Sequence, residues 1–135
     1  MGKILIVDDE KGIREIFSLL LEERGHTVRE ASSGEEALTI IPLFSPDLLL
    51  LDMNLPGISG IDLLERVKRE FPKTSVIIMT AFGSIRSAVE ATRLGAYDYL
   101  EKPVDNDELL LLIARALEVK ELNRRVEELQ ERRVL

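Results

Sequence analysis

The sequence predicts an α/β fold in which helices cover both faces of a doubly wound parallel sheet. Two apolar runs, Ile4-Leu5-Ile6-Val7 and Leu48-Leu49-Leu50-Leu51, show no polar alternation, which is typical of strands buried on both faces. Amphipathic stretches separate such runs, and the first has apolar residues at helical spacing: Ile13, Ile16, Phe17, Leu20 and Leu21. Strands that alternate with helices in this way favour right-handed βαβ units in one sheet.

Cap and breaker residues delimit the elements in the first half of the chain. The first helix should end at Gly25, a residue that suits the C′ position. The strand that follows, Thr27 to Ala31, is less apolar and is expected at a sheet edge. Ser32 and Ser33, each three residues before a glutamate, offer capping boxes for a second helix that ends at Pro42.

The second half of the chain repeats this pattern. Ser59 and Asp62 can cap a third helix, which Pro72 closes. The fourth helix, over 84–94, is rich in alanine, so we expect it to be held to the sheet less firmly; it ends at Gly95. In order, the predicted strands and helices span residues 4–7, 11–24, 27–31, 32–41, 47–52, 59–71, 76–80, 84–94, 97–100 and 106–132.

The composition narrows the class of protein. With 135 residues and 45% apolar content, the chain fits one soluble domain. Its net charge of −7 argues against direct binding of nucleic acid or of an anionic membrane, since both need a basic surface. Cysteine is absent, and the first apolar run is too short for a signal peptide or a membrane span. We therefore expect a cytosolic protein, with proteins or cations as its partners.

Polar side chains follow the predicted strands at the points where these strands end. The carboxyl ends of parallel strands meet at one edge of the sheet, so these residues are expected there: Asp8, Asp9, Asp52, Thr80 and Lys102. Three carboxylates placed together repel one another and need a cation, and hard oxygen ligands favour Mg²⁺. We expect Asp9 and Asp52 as direct ligands and Asp8 as a ligand through water. The backbone carbonyl of Asn54 would supply another oxygen.

The same edge carries groups that suit phosphoryl transfer to an aspartate. Lys102 can hold a phosphoryl oxygen, and the Thr80 hydroxyl and the Ala81 amide are further donors. With Asp52 as the nucleophile, the protein would mainly position groups and neutralise charge. Each residue alone has an ordinary structural explanation, such as a helix cap, a turn or a surface charge; only their joint placement favours a site. We assign no role to His26.

The motifs at the strand ends, in chain order, are Val7-Asp8-Asp9-Glu10, Leu51-Asp52-Met53-Asn54-Leu55-Pro56, Met79-Thr80-Ala81 and Tyr99-Leu100-Glu101-Lys102-Pro103. Through them the chain resembles, over about residues 3–117, the receiver domains of bacterial two-component response regulators. The resemblance implies a flavodoxin-like (βα)5 sheet with strand order 2-1-3-4-5. It also implies that a sensor histidine kinase phosphorylates Asp52, that the Lys102–Pro103 peptide bond is cis, and that Thr80, Tyr99 and Pro103 belong to a switch. In that switch the hydroxyl turns toward the phosphate and the tyrosine ring moves inward.

Finer motifs are similar to receivers of the NtrC and DctD class, which activate sigma-54-dependent transcription. These motifs are Thr80-Ala81-Phe82-Gly83-Ser84, Ala88-Val89-Glu90-Ala91 and the segment 94–103. In that class the receiver precedes an AAA+ ATPase and a DNA-binding helix-turn-helix. This sequence contains neither a Walker A motif nor a basic recognition helix. ATP hydrolysis and DNA binding would therefore belong to a longer parent chain.

The last predicted helix is longer than the sheet can cover. Its first half has apolar residues that can pack on the sheet, namely Leu109, Leu112, Ile113 and Ala116. Its second half continues with a heptad-like stripe of Val119, Leu122, Val126 and Leu129. We predict a receiver domain over 1–117 and a helical linker over 118–135 that forms a homodimer through a short coiled coil. The alternative is an unpaired linker helix, because barely two heptads are present.

Three functions are compatible with these residues. The leading hypothesis is a phosphorylation-controlled switch that turns over no external substrate and carries out only Mg²⁺-assisted phosphorylation from a donor and slow autodephosphorylation. The second is a phosphatase of the haloacid dehalogenase kind, which needs a carboxylate two residues after the nucleophile for acid–base work. This chain has Asn54 at that position, which argues for a persistent acyl phosphate. The third is a binding module that works without phosphorylation.

Overall fold

The computed structural model describes residues 1–81 and 85–134 of the chain. Ser84, the predicted start of the fourth helix, and the Phe82-Gly83 pair of one subfamily motif lie outside the described residues. The elements, in chain order, are β1 (Lys3–Val7), α1 (Lys11–Glu23), β2 (Thr27–Ala31), α2 (Gly34–Phe44), β3 (Leu48–Asp52), α3 (Gly60–Glu70), β4 (Ser75–Thr80), α4 (Ile85–Arg93), β5 (Asp98–Glu101) and α5 (Asn106–Val134).

The five strands form one sheet in the order β2-β1-β3-β4-β5, and every described pairing is parallel. This order confirms the flavodoxin-like fold that the resemblance implied. It also confirms that β2, the more polar strand, lies at an edge. In the register, Val7 is level with Leu51 and Asp52 with Met79, so the strand ends that carry polar residues lie at the same edge.

The two faces of the sheet pack against different helices, which explains why β3 has no polar alternation. Leu49 and Leu51 pack in a core with residues of α2 and α3, whereas Leu48 and Leu50 pack on the other face with residues of α1 and α5. All four side chains are fully buried. Burial of one leucine contributes about 1.5–3 kcal/mol. β3 is therefore held from both sides, and this fixes the position of its last residue, Asp52.

Hydrogen bonds confirm the predicted helix caps at Ser33 and Ser59. The Ser33 hydroxyl accepts from the Glu36 amide at 3.1 Å, and the Ser59 hydroxyl accepts from the Asp62 amide at 3.2 Å. Gly25 follows α1 with φ of 90°, a conformation that glycine adopts without steric cost. Ser32, the other predicted cap, instead donates to the Glu36 side chain.

The structure corrects two details of the helix predictions. α2 does not end at Pro42 but continues through it to Phe44, whose side chain is buried in the core. A proline within a helix removes one backbone hydrogen bond, and burial of the last turn compensates for this loss. In α1, Ile16 of the predicted apolar face is 55% exposed, while Ser18 is buried. The Ser18 hydroxyl donates to the Glu30 carboxylate of β2 at 3.1 Å, which accounts for its burial.

α5 continues well beyond the sheet, as the sequence predicted. It begins where the Asp105 carboxylate accepts the amide protons of Asp107 and Glu108, and it runs for 29 residues. At 1.5 Å per residue its length is about 43 Å. The apolar residues of its second half, Val119, Leu122, Val126 and Leu129, are 43–57% exposed. No helix within the described ranges of the chain is long and apolar enough to cross a membrane.

Candidate functional site

Three aspartates lie together at the carboxyl edge of the sheet. Asp8 follows β1, Asp9 comes directly after it, and Asp52 is the last residue of β3. One carboxylate oxygen from each residue lies within 4.8 Å of the others. Asp8 and Asp52 are buried, whereas Asp9 is exposed to solvent. The predicted convergence of these side chains is thus observed.

Backbone amides orient the two buried carboxylates. The Glu10 amide donates to Oδ1 of Asp8 at 2.9 Å, and the Asn54 amide donates to Oδ1 of Asp52 at 3.1 Å. Each amide belongs to the residue two positions further along, so each turn after a strand holds its own aspartate. The Oδ2 atoms are left for other partners, and both point toward the same lysine.

Lys102 provides the positive charge of the site. Its ammonium nitrogen lies 3.1 Å from Oδ2 of Asp52 and 3.6 Å from Oδ2 of Asp8. Burial alone would lower the pKa of Lys102, but the hydrogen bond with Asp52 and the surrounding negative charges raise it overall. Burial, with the nearby negative charge of Asp52, raises the pKa of Asp8 above its usual value. The lysine is therefore firmly protonated, and Asp8 lacks enough compensating charge.

Two buried oxygens at this edge have no hydrogen-bond partner among the described residues: Oδ2 of Asp8 and the hydroxyl of Thr80. A buried polar atom without a partner costs about 1–3 kcal/mol, so such atoms indicate a missing ligand. A carboxylate oxygen suits a hard cation, and a hydroxyl suits a phosphoryl oxygen. The residues present therefore fit both Mg²⁺ and a phosphoryl group.

Close backbone packing positions the loop that follows Asp52. A Cβ atom on Gly60 would lie 2.6 Å from Cα of Met53, so only glycine allows α3 to begin this close to the end of β3. The Gly60 amide donates to the Met53 carbonyl at 3.3 Å. Further along, the Glu35 carboxylate of α2 accepts the Ile58 amide at 2.7 Å. These contacts hold the short loop that contains Asn54.

The remaining predicted residues lie on the side of β4 and β5. Ala81 follows Thr80 at the end of β4 and is half-buried, and Tyr99 of β5 packs partly buried against the core on the α2 and α3 face. The Lys102–Pro103 peptide bond is cis, as the resemblance implied. Tyr99, Lys102 and Pro103 line one groove, whose opposite wall is the first part of α5.

Sequence reasoning missed Arg14, whose guanidinium group donates to the backbone carbonyl of Asp8 at 2.7 Å. Its side chain is only 14% exposed. An arginine in the second turn of an amphipathic helix is usually solvent-exposed, and nothing in its spacing sets Arg14 apart. Its role depends on β2, which packs beside α1.

A family model described as the response regulator receiver domain matches residues 4–114. The chain therefore belongs to the family of response regulator receiver domains. Such domains bind Mg²⁺ at an acidic cluster of the kind formed here by Asp8, Asp9 and Asp52.

Two curated relatives are regulatory proteins much longer than this chain. The nitrogen assimilation regulatory protein NtrX of Azorhizobium caulinodans is 41% identical over 130 residues, which cover 95% of this chain and 29% of that protein. The regulatory protein AtoC of Escherichia coli (strain K12) is 37% identical over 131 residues, which cover 97% of this chain and 28% of that protein. These relatives confirm the resemblance to the NtrC class. The chain spans less than a third of their length.

Solved structures agree with this assignment. The crystal structure of NtrX from Brucella abortus is similar with a TM-score of 0.90 and 40% identity, covering 95% of this chain and 29% of that chain. A response regulator receiver domain protein from Clostridium thermocellum gives a TM-score of 0.85 and 39% identity, covering 90% of this chain and 98% of that chain. The fold is therefore shared with an isolated receiver domain and with part of a larger regulator.

Proposed function

We propose that the chain is a phosphorylation-controlled switch in which Asp52 accepts a phosphoryl group from a sensor histidine kinase. The observation that carries this proposal is the pairing of Lys102 with Asp52 next to the unpartnered hydroxyl of Thr80. These groups surround one carboxylate with donors that a transferred phosphoryl group can use. The switch turns over no external substrate, and autodephosphorylation is slow.

The acid cluster would hold Mg²⁺ through Asp9 and Asp52 directly, through Asp8 by way of a water, and through the Asn54 carbonyl. When bound, the ion would neutralise negative charge between the carboxylates and the phosphoryl oxygens. The raised pKa of Asp8 and its Oδ2, which has no hydrogen-bond partner among the described residues, support this assignment, because Lys102 at 3.6 Å does not fully compensate the buried charge.

In the transfer step a carboxylate oxygen of Asp52 attacks the phosphorus of the phosphohistidine. An oxygen–phosphorus bond forms, and the nitrogen–phosphorus bond of the donor breaks, with its electron pair leaving on the imidazole nitrogen. The Asn54 amide keeps the carboxylate oriented through Oδ1. The ammonium group of Lys102 can shift from the Asp52 carboxylate to a phosphoryl oxygen. The Ala81 amide would be a second hydrogen-bond donor to the phosphoryl group.

The signal would leave the site through Thr80. A conformational change needs contacts that differ between two states, and the unpartnered Thr80 hydroxyl can form such a contact only after phosphorylation. Its movement toward the phosphoryl group would open space for the half-buried ring of Tyr99 to move inward. α4 packs beside this path against β4 and β5, and among its described side chains the buried ones, Ala88 and Ala91, are small.

The output would act on a longer parent protein that carries an AAA+ ATPase and a DNA-binding helix-turn-helix after the receiver. The lengths of the relatives support this arrangement. Within it, residues 1–117 are the receiver and 118–135 are a helical linker. The exposed apolar stripe of α5 supports a homodimer formed through a short coiled coil.

Incubation with acetyl phosphate and Mg²⁺, followed by intact mass measurement, tests this proposal. We expect one stable phosphoryl adduct on the wild-type chain and none on the Asp52→Asn variant. Steady release of phosphate without an adduct would instead indicate a phosphatase of the haloacid dehalogenase kind. A chain that did not react at all would be a binding module independent of phosphorylation.

Hydrogen exchange with and without beryllofluoride, an acyl phosphate mimic, tests the path of the signal. We expect protection to change in α4, in β5 and on the adjacent face of α5. If protection changed mainly in α1 while α4 and β5 stayed constant, the proposed output face would be wrong.

A further inference from the structure

Arg14 makes a partly buried ion pair with Glu30 beside the turn that contains Asp8. Its Nε donates to Oε1 of Glu30 at 3.2 Å, and its Nη1 donates to the backbone carbonyl of Asp8 at 2.7 Å. The Ser18 hydroxyl donates to the other oxygen of Glu30 at 3.1 Å. The guanidinium group thus links α1 to β2 and to the turn after β1, and Ser18 orients the carboxylate that it pairs with.

Through these contacts the backbone of Asp8 is attached to β2 on both of its sides. The Asp8 amide donates to the Ala31 carbonyl at 3.1 Å, and the Asp8 carbonyl is held by Arg14, which is itself held by Glu30 of β2. Hydrogen bonds therefore fix both backbone polar groups of Asp8, and Arg14 fixes the carbonyl of the peptide group that joins Asp8 to Asp9. The directions in which both carboxylates project depend on this peptide group.

The charge of Arg14 would be harmful to a cation site if it faced the acids. A guanidinium group readily forms bidentate pairs with carboxylates, and such a pair would compete with a metal ion. Here Glu30 pairs with the positive charge through Nε of Arg14, and Nη1 of Arg14 donates to the Asp8 carbonyl instead of a carboxylate. The unpartnered Oδ2 of Asp8 consequently stays available.

We infer that Arg14 is a positioning residue for the Mg²⁺-binding acids, held in its role by Glu30 and Ser18. The inference rests on the proposed Mg²⁺ site. Residues behind a metal site commonly change metal affinity about 10–100-fold when they are removed. For Arg14→Met we expect Mg²⁺ affinity to fall about tenfold.

The sign of the effect separates positioning from simple electrostatics. Removal of a positive charge near a cation site should strengthen Mg²⁺ binding if only charge mattered. Lys11→Met is the matched control, since Lys11 lies at the start of the same helix but its side chain is 80% exposed and it contacts only Glu15 among the described ion pairs. We expect Lys11→Met to leave Mg²⁺ affinity unchanged or slightly increased.

Calorimetric titration of the full chain with Mg²⁺ measures these affinities without any phosphoryl donor, and urea unfolding measures stability in parallel. Arg14→Lys keeps the charge but cannot make both contacts in the same fork geometry. We expect it to weaken Mg²⁺ binding less than Arg14→Met does. It replaces Arg14→Met in the measurement if the methionine variant does not fold. If the wild-type chain binds Mg²⁺ and the Arg14 variants bind it equally well or more tightly, the inference about Arg14 is wrong while the metal site stands. A wild type that binds no Mg²⁺ would overturn the metal site and the inference together.

Discussion

The ammonium group of Lys102 lies 3.1 Å from Oδ2 of Asp52 at the carboxyl edge of the sheet. The same ammonium group lies 3.6 Å from Oδ2 of Asp8, so one cation faces both buried acids. A metal ion bound at this edge would neutralise the same carboxylates, whereas a phosphoryl group on Asp52 would add negative charge for Lys102 to neutralise. Stability and phosphorylation should therefore be linked at this residue.

Lys102→Met should lower the free energy of unfolding by about 1–2 kcal/mol in the absence of Mg²⁺, because two buried carboxylates lose their cation. The loss should be smaller than for a fully buried pair, since the Lys102 side chain is one-quarter exposed. Urea unfolding with and without Mg²⁺ measures the effect, and Mg²⁺ should restore most of the loss. Lys102→Arg keeps the charge and is the control. Equal loss with and without Mg²⁺ would contradict the proposed charge balance.

Asp52→Asn should keep the fold and lose phosphorylation, because the amide has the shape of the carboxylate but is not a nucleophile. Intact mass after treatment with acetyl phosphate and Mg²⁺ measures the loss. Asp62→Asn is the matched control, since Asp62 is an exposed acid at the start of α3. A phosphoryl adduct that formed as fast in Asp52→Asn as in the control would exclude Asp52 as the acceptor.

Thr80→Val should raise the free energy of unfolding by about 1 kcal/mol, because it replaces a buried hydroxyl that has no described partner with a methyl group. Thr74→Val should lower the free energy of unfolding by a similar amount, since the buried Thr74 hydroxyl donates to the Pro46 carbonyl at 3.1 Å. Urea denaturation of both variants measures this difference in sign.

The same Thr80→Val variant should lose the hydrogen-exchange response of α4 and β5 to beryllofluoride. Thr74→Val should keep that response. A normal response in Thr80→Val would show that the hydroxyl is not the contact that carries the signal.

Stability should fall as the pH is lowered below about 6.5 because of His26. Its pKa is lowered in the folded chain, first by burial and then by the N-terminal charge, and its Nδ1 accepts the Gly2 amide at 3.1 Å. The unfolded chain therefore binds a proton first, at the ordinary histidine pKa of 6.5, and folding is disfavoured from there downward. Above that pH both states are neutral and the effect vanishes.

Thermal or urea unfolding between about pH 5 and pH 8 measures this dependence. His26→Gln is the control, because it removes the titrating group while the carboxylates keep their own contributions. The difference between the two chains should grow as the pH falls below 6.5. A constant difference over the range would contradict the prediction.

Leu122→Glu should convert a dimer to a monomer if α5 pairs through its stripe. Leu122 is central in the stripe and 52% exposed, so a charge there would be buried in the dimer but solvated in the monomer. Sedimentation equilibrium measures the association. Leu43→Glu, at a residue of α2 that is 90% exposed, is the control and should leave the assembly unchanged. A wild-type chain that is monomeric at all concentrations would contradict the proposed pairing through α5.

The amino-acid sequence by itself determined the sheet and the edge at which the polar residues meet. Apolar runs without alternation require cover on both faces, and parallel strands bring their carboxyl ends together. The sequence therefore predicts that Asp8 and Asp52 lie at the same edge of the sheet. The caps at Ser33 and Ser59 were also predictable, because capping depends on residues only three positions apart.

Only the tertiary structure decided which groups face one another at that edge. The pairing of Arg14 with Glu30 joins residues 16 positions apart on different elements. The Thr80 hydroxyl lacks a hydrogen-bond partner because no described donor or acceptor of another element lies within reach of it. The exposure of Ile16 likewise depends on how α1 lies across the sheet, not on its helical period. Local patterns record which residues share a face, whereas contacts between elements depend on packing that no short segment specifies.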